Sequence, residues 1–351
     1  MTIDEAAAPA ADSTEIPGFI VTAMTNQMRA VLDTQAARAE ECTQAGQLAI
    51  GADMDAETAG LAAMRAEYRA ERSFWNEGGP TMTDTVDAVI DTAGAQVPIR
   101  IHRPTAEAVL PGIVFLHGGG FTVGGLDTHD RIMPVIAAES GAAVISVDYS
   151  LSPESKFPQA LHEVAGVIDH IVHHGRGLGI DGTRLAVAGD SAGALLTLGS
   201  ALLLRDEPES IGLDPRTFSA LDALLLFYGG HGLVDSASRR LYGGGWDGMS
   251  REDLDSITTE HFSSPADASS PYVDHLAADL AGLPPVFIAA AGLDPLRDDS
   301  EALNVRLEEA GTLVDYNLYP GVLHSFLHFG RMLDDAGDAL TRSAAFAAAR
   351  L

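Results

Sequence analysis

The chain of 351 residues carries 50 acidic and 21 basic side chains, a formal net charge of −29, and 46% of its residues are apolar. Nucleic acid and anionic membrane surfaces are poor partners for such a chain, because binding to phosphate requires clustered lysine and arginine. The single cysteine, Cys42, excludes an intrachain disulfide.

The start of the chain bears on where the protein acts. Residues 1–17 are acidic and rich in alanine, and we expect them to be disordered or extended. They lack the basic start and the apolar centre of a signal peptide, and no later apolar run is long enough to span a bilayer. We therefore expect a cytoplasmic protein without a membrane span.

Helical spacing of apolar residues follows over residues 18–80. Ile20, Met24 and Met28 recur every four residues, which predicts amphipathic helices. The run Gly78–Pro80 ends the pattern. We interpret this segment as the N-terminal helices of a cap.

From residue 81 short apolar runs alternate with helical patterns, which predicts a mostly parallel, doubly wound α/β sheet. Pro98 indicates an edge strand, because proline cannot donate to the strand ladder. Strands are expected at Val86–Ile90, Val97–Ile101, Ile113–Leu116, Ala143–Val147, Leu185–Ala188, Leu221–Phe227, Val286–Ala291 and Leu313–Leu318. Helices are expected at about 128–140, 157–174, 192–204 and 299–310, with a final helix from about Ser325.

One long segment interrupts the alternation. Residues 229–283 are rich in glycine, serine and aspartate and contain no strand pattern, only short helical pieces. We interpret them as a cap insertion over the carboxyl edge of the sheet, where open α/β sheets place their sites. The catalytic core would then comprise residues 81–228 and 284–351.

The run Gly189–Gly193 (GDSAG) joins a predicted strand to a predicted helix and has Ser191 at its apex. Such a strand–turn–helix lifts a serine Oγ clear of the backbone, where it can meet both a base and a substrate carbonyl. The flanking glycines remove Cβ atoms that would clash in so tight a turn. The pattern predicts a nucleophilic serine.

A second glycine-rich run, His117–Gly120, follows the buried strand that ends at Leu116. Backbone N–H groups in such a loop can stabilise the oxyanion that forms during attack on an ester. We expect Gly118 and Gly119 to donate to it, together with Ala192, which follows the serine.

A serine hydroxyl needs a base, and the base needs an orienting acid. His324 lies on the loop after the last predicted strand, and Asp294 directly follows the strand Val286–Ala291. The chain order serine, aspartate, histidine is the order of the α/β-hydrolase fold. Asp298 and Asp299 are interpreted instead as helix caps or turn stabilisers.

Taken together, these motifs resemble the bacterial hormone-sensitive-lipase-like esterases, a branch of the α/β-hydrolases. The resemblance extends from about residue 80 to the end and rests on His117–Phe121, Leu126–Asp130, Asp148–Glu154 with Phe157-Pro158, Gly189–Gly193, Asp294–Asp298 and His324–Phe326. The aspartate at position 190 resembles the GDSAG branch of that family.

The resemblance implies an α/β-hydrolase fold with Ser191 as nucleophile, His324 as base and Asp294 as its partner. It also implies structural roles for His117, Asp148 and Glu154, and a possible homodimer. Two positions depart from the family pattern. Ser150 replaces an arginine that supports an ion pair, and Ser325 replaces a glycine at the rim of the pocket.

The favoured function is hydrolysis of small or medium apolar carboxylic esters through an acyl-enzyme, with no metal and no organic cofactor. Hydrolysis of an amide, carbamate or lactone by the same groups is an alternative, and a non-catalytic small-molecule receptor is another. The clustered histidines His170, His173 and His174 are interpreted as exposed side chains, not as a metal site. We expect Tyr228 and Trp246 to contact the substrate.

Overall fold

A computed structural model describes residues 15–92 and 94–351, apart from the side chain of Thr258. Its eight strands form one sheet in the order β1-β2-β4-β3-β5-β6-β7-β8. The pairs β1–β2 and β2–β4 are antiparallel, and all other neighbouring strands are parallel. The strands are β1 (Asp84–Asp91), β2 (Gln96–Arg103), β3 (Leu110–Leu116), β4 (Ala143–Val147), β5 (Ile180–Asp190), β6 (Leu221–Phe227), β7 (Val286–Ala291) and β8 (Val314–Tyr319).

The helices cover both faces of this sheet and its carboxyl edge. They are α1 (Gly18–Ala23), α2 (Asn26–Ala49), α3 (Ala56–Trp75), α4 (Ile132–Ser140), α5 (Gln159–His174), α6 (Ala192–Asp206), α7 (Ala237–Tyr242), α8 (Arg251–His261), α9 (Arg297–Glu309) and α10 (Asp334–Ala348). None of these helices is both long enough and apolar enough to cross a membrane. Of the terminal segment expected to be disordered or extended, residues 1–14 lie outside the described residues, and Ile16 is half-buried against the core.

The central strands are buried on both faces, as their unbroken apolar runs predict. Alternate residues of β3 belong to different apolar clusters: Val114 and Leu116 to one, Ile113 and Phe115 to the other. Helices α5, α6 and α9 contribute to the first cluster, and α4 and α10 to the second. The predicted doubly wound, mostly parallel sheet is therefore confirmed.

Two local predictions are wrong. Pro98 does not mark an edge strand, since β2 lies between β1 and β4. Its carbonyl accepts the N–H of Asp148 at 2.9 Å, one residue beyond the end of β4, so the missing proline N–H lies where the ladder has already ended. The final helix begins at Asp334, not near Ser325, and residues 326–329 form only a short 3-10 turn. Asp334 and Asp335 in its first turn are the acids that a helix dipole favours there.

The segments predicted as a cap contain α1–α3 at the N-terminal end and α7 and α8 within residues 229–283. α1 and α2 bury Ile20, Met24 and Met28 in the second apolar cluster. The 229–283 segment is fixed to α9 by carboxylates. Asp299 accepts the N–H groups of His231 and Leu233 at 2.8 and 3.1 Å.

The turn between β5 and α6 brings three pieces of backbone into close contact. A Cβ atom on Gly193 would lie 1.9 Å from the carbonyl oxygen of Leu116, and one on Gly189 would lie 2.3 Å from the carbonyl oxygen of Gly193. Real Cβ atoms do not approach backbone so closely. Both glycines are therefore required by the contact of β5 and α6 with the end of β3.

This contact yields a stability prediction for Gly193→Ala. The methyl group cannot fit against the Leu116 carbonyl without backbone movement. We therefore expect the free energy of unfolding to fall by about 1–3 kcal/mol. Urea unfolding measures the effect. Gly337→Ala in α10 is the matched control, because nothing lies within 4 Å of its added Cβ. A Gly193→Ala variant as stable as that control would contradict the prediction.

Candidate active site

Ser191 lies at the junction of β5 and α6 in a backbone conformation that L-residues rarely adopt, with φ 52° and ψ −117°. Its N–H donates to the carbonyl of Phe227 at 2.8 Å, which ties the turn to β6. Non-glycine residues held at positive φ cluster at functional sites, where the surrounding structure enforces them. The sequence predicted this turn from the flanking glycines.

Ser191, His324 and Asp294 form one hydrogen-bonded chain. His324 Nε2 lies 2.9 Å from Ser191 Oγ, and His324 Nδ1 lies 2.8 Å from Asp294 Oδ2. Asp294 is fully buried, and its other oxygen accepts the N–H of Leu296 at 2.8 Å. With a proton on Nδ1, the imidazole can donate to Asp294 and accept the hydroxyl proton of Ser191.

The electrostatics of His324 suit a general base. Burial disfavours the charged imidazolium, but the charge of Asp294 and its hydrogen bond outweigh burial, so the pKa of His324 is raised above its ordinary value of 6.5. The imidazole can therefore hold a proton taken from serine while remaining largely neutral at alkaline pH.

The glycine loop differs from the prediction in one donor. The N–H of Gly118 donates to Asp190 Oδ1 at 2.8 Å, so it is already used and Gly118 is wrong as an oxyanion donor. A Cβ at position 118 would lie 2.6 Å from the same carboxylate, which leaves no room for a side chain. Among the described residues, the N–H groups of Gly119, Gly120 and Ala192 have no hydrogen-bond partner.

Asp190 links the glycine loop to the serine turn from below. Besides the Gly118 N–H, its carboxylate contacts His129 Nε2 at 3.1 Å and the Tyr228 hydroxyl at 3.3 Å. Burial disfavours its charge, but His129 and the Gly118 N–H outweigh burial, so the pKa of Asp190 is lowered. From the sequence, Asp190 indicated only a branch of the family. Its position directly before Ser191 was the feature that could have indicated a role in the site.

The two residues expected to contact substrate have different positions. Tyr228 is fully buried beneath the site, where its ring meets the His324 imidazole edge-on at 4.9 Å between ring centroids. Its hydroxyl is occupied by Asp190, so Tyr228 supports the site and is wrong as a substrate contact. Trp246 lies in the wall of a cavity that includes His324.

This cavity has a volume of about 280 Å³ and lies between the N-terminal helices, the 244–249 loop and the loop that carries His324. Its size is at the lower end of the range for small-molecule sites. Apolar wall residues are Ile16, Met28, Leu32, Met249, Leu323 and Phe329. Polar wall residues are Gln35, Arg72, Trp246, Asp247, His324 and Ser325.

Asp247 places a second carboxyl group in the same wall. Burial raises its pKa to about 7, although the N–H groups of Met249 and Gly244 donate to it and oppose the shift. Near pH 7 this carboxyl group is therefore ionised in only a fraction of the molecules.

Other residues singled out from the sequence have supporting contacts. His117 stacks on Tyr149 with 4.3 Å between ring centroids, and its Nδ1 lies 2.9 Å from the Gly118 carbonyl. Glu154 pairs with Arg65 of α3 at 2.7 Å, which joins the N-terminal helices to the core. Asp148 is largely buried, and burial raises its pKa.

The carboxylates after Asp294 and the two departures from the family pattern also have structural explanations. Asp298 and Asp299 do not cap α9. They accept N–H groups from the 229–283 segment. The hydroxyl and N–H of Ser150 donate to the two oxygens of the Glu163 carboxyl group, each at 2.7 Å, where the family has an arginine. Ser325 has φ 62°, a left-handed conformation that explains why the family uses glycine there.

Potential metal ligands occur together at one place in the described part of the chain. Ligand atoms of His129, Asp190 and His328 lie within 4.8 Å of one another, and all three residues are buried. The carboxylate oxygens already accept from Gly118 and Tyr228, so we assign no ion to this group. The exposed His173 lies 3.6 Å from Asp169 and 3.5 Å from Asp214.

The Asp190 contacts predict a graded effect of substitution on stability. Asp190→Ala leaves the buried N–H of Gly118 without an acceptor, which costs about 1–3 kcal/mol of unfolding free energy. Asp190→Asn keeps an acceptor oxygen and should lose less. Urea unfolding of both variants tests this order, and an alanine variant as stable as the wild type would refute it.

Comparison with known proteins identifies the family to which this chain is similar. A family model described as alpha/beta hydrolase fold matches residues 113–328. An acetyl esterase of Salmonella choleraesuis is 42% identical over 335 residues, which is 95% of this chain and 96% of the relative. An acetyl esterase of Salmonella enteritidis is 41% identical over the same shares.

Solved structures of other esterases also resemble the structure of this chain. An esterase of Pyrobaculum calidifontis superposes with a TM-score of 0.76 at 32% identity, over 86% of this chain and 95% of that one. A thermophilic carboxylesterase cloned from a metagenomic library superposes with a TM-score of 0.77 at 28% identity, over 83% of this chain and 97% of that one.

Proposed function

This chain belongs to the α/β-hydrolase-fold family and is a carboxylesterase, and we propose that Ser191, His324 and Asp294 carry out its reaction. The observation that supports this assignment is the unbroken hydrogen-bonded chain from Ser191 Oγ through His324 to Asp294, at 2.9 and 2.8 Å. Its substrates are small-molecule esters.

In the proposed reaction Ser191 Oγ attacks the ester carbonyl carbon while His324 Nε2 accepts the hydroxyl proton. Asp294 keeps the ring oriented and stabilises the imidazolium that forms. The bond to the alcohol oxygen then breaks, and the alcohol leaves with the proton from Nε2. Water attacks the acyl-enzyme by the same route, and the carboxylic acid is released.

For the tetrahedral intermediate we propose Gly119, Gly120 and Ala192 as donors. Each has an N–H without a partner among the residues that the structure describes, and Gly120 replaces the predicted Gly118. Donors aimed at the developing charge are worth about 10²–10³ in rate for each one lost. The use of no metal or organic cofactor stays a prediction.

We propose that residues 18–80 and 229–283 act as a cap over a core formed by residues 81–228 and 284–351. The cavity beside His324 supports this division, because its walls come from both cap segments and from the core. A volume of about 280 Å³ favours short acyl groups, in keeping with the acetyl esterases that this chain resembles. Trp246 is the proposed aromatic contact for substrate.

The nucleophile assignment predicts that Ser191→Ala abolishes hydrolysis of p-nitrophenyl acetate, since Ser191 supplies the one hydroxyl that bonds to His324 Nε2 within residues 15–92 and 94–351, the Thr258 side chain aside. The exposed Ser210→Ala is the control and should keep wild-type rates. Labelling by an organophosphonate should likewise require Ser191. A Ser191→Ala variant with the wild-type rate would overturn the assignment, and a folded wild type that neither turns over nor labels would favour a receptor.

The raised pKa of His324 predicts an acid limb in the pH profile. Only the neutral imidazole accepts a proton, so kcat/KM should fall as pH drops through an apparent pKa above 6.5. Asp294→Asn should move this limb to lower pH and reduce kcat by roughly 10³–10⁴-fold. Because Asp247 also titrates at about 7, the profile is measured in Asp247→Asn as well. An acid limb that disappears in Asp247→Asn would mean that Asp247, not His324, produces it.

A further inference from the structure

Arg72 is a buried cation in the wall of the cavity beside His324. It lies on α3, only 7% of its surface is exposed, and the cavity that it lines also includes His324. Long basic side chains are almost never buried to this extent unless they are paired, because burial of a charge is costly.

The hydrogen bonds of this guanidinium are incomplete. Nε and Nη1 are buried and have no hydrogen-bond acceptor among the described residues. The nearest carboxylate is Glu71, whose Oε2 lies 3.3 Å from Nε outside hydrogen-bond geometry. The other oxygen of Glu71 accepts from Gln35 and Trp75 at 2.8 and 2.7 Å.

Aromatic rings hold the guanidinium in place instead. Its Cζ lies 4.7 Å from the centre of the Tyr68 ring and 5.8 Å from that of Phe329. Such contacts can position an arginine without using all of its N–H groups. A side-chain hydrogen bond with Tyr68 also contributes, so Nε and Nη1 are the donors left without an acceptor among the described residues. The result is a positioned cation with two unused donor atoms in a cavity that the proposed base also lines.

The rest of the wall adds a further donor. Trp246 Nε1 is buried and also lacks an acceptor among the described residues. The carboxyl oxygen of Asp247 that accepts hydrogen bonds is occupied by backbone N–H groups of Gly244 and Met249. The cavity wall therefore contains buried N–H donors of Arg72 and Trp246 that lack acceptors among the described residues, and such donors call for a ligand or water that supplies acceptors.

We propose that Arg72 binds a carboxylate carried by the substrate, so that the preferred substrates are small esters with a second, ionised carboxyl group. A planar guanidinium with free N–H groups matches a carboxylate better than it matches an alkyl chain. The proposal rests on the ester-hydrolase function given above and specifies its substrate class.

The carboxylate could be part of either half of the ester, and the experiment distinguishes the two. For the alcohol half, para-acetoxybenzoate is compared with para-isopropylphenyl acetate. For the acyl half, monoethyl succinate is compared with ethyl isocaproate. Within each pair the carboxylate replaces an isopropyl group of similar shape, so the ratio of kcat/KM values isolates the charge.

The variants are Arg72→Met, which keeps the length of the side chain, and Arg69→Met as control. Arg69 is an exposed arginine on the same helix, so its variant makes the same change in net charge. In at least one pair the wild type should prefer the anionic ester, and Arg72→Met should lower kcat/KM for that ester by about ten- to a hundredfold, the range for a lost hydrogen bond to a charged group. Its neutral partner should change less than about threefold, and Arg69→Met should change neither ratio.

The outcomes test carboxylate binding by Arg72 separately from the proposed ester hydrolysis. Loss of activity on both members of a pair means that Arg72 only supports the fold, and retained preference in Arg72→Met means that it does not bind the carboxylate. Either result overturns the inference while hydrolysis of the neutral esters by the wild type leaves the proposed function intact. A wild type that hydrolyses none of the four esters would contradict the proposed function itself.

Discussion

The close approach of α6 to the end of β3 is the constraint on which the site depends. Gly193 lies against the Leu116 carbonyl with no space for a methyl group, so a direct contact between backbone atoms fixes the serine turn to the glycine loop. Asp190 adds a second connection through the N–H of Gly118. Because both contacts are buried, they hold the proposed nucleophile and the proposed oxyanion donors in a fixed arrangement.

Around this unit the sheet supplies the remaining groups at its carboxyl edge. Asp294 follows β7, and His324 lies on the loop after β8, so neighbouring parallel strands bring the proposed acid and the proposed base to the serine. The charge of Asp294 and its hydrogen bond to His324 together outweigh the burial that would otherwise lower the pKa of the imidazole. The fold therefore determines both the position of the base and its proton affinity.

Much of this could be predicted because the signals were local. The strands β6 and β7 match their predicted limits, since β7 is an unbroken apolar run and β6 is interrupted only by Asp222. Glycines on both sides of Ser191 indicated the tight turn. What failed depends on contacts between distant segments. That Asp190 uses the Gly118 N–H, that Tyr228 points beneath the site and that Arg72 reaches the cavity are results of packing, and no local pattern encodes them.

The loop that carries His324 is also attached to the N-terminal helices. The N–H of Thr25, which caps α2, donates to the carbonyl of Gly321 at 3.0 Å, and Thr25 Cγ2 lies 2.7 Å from where a Cβ of residue 321 would be. A displacement of these helices would therefore be transmitted to the loop three residues before the imidazole, so the N-terminal helices and the alignment of His324 are mechanically coupled.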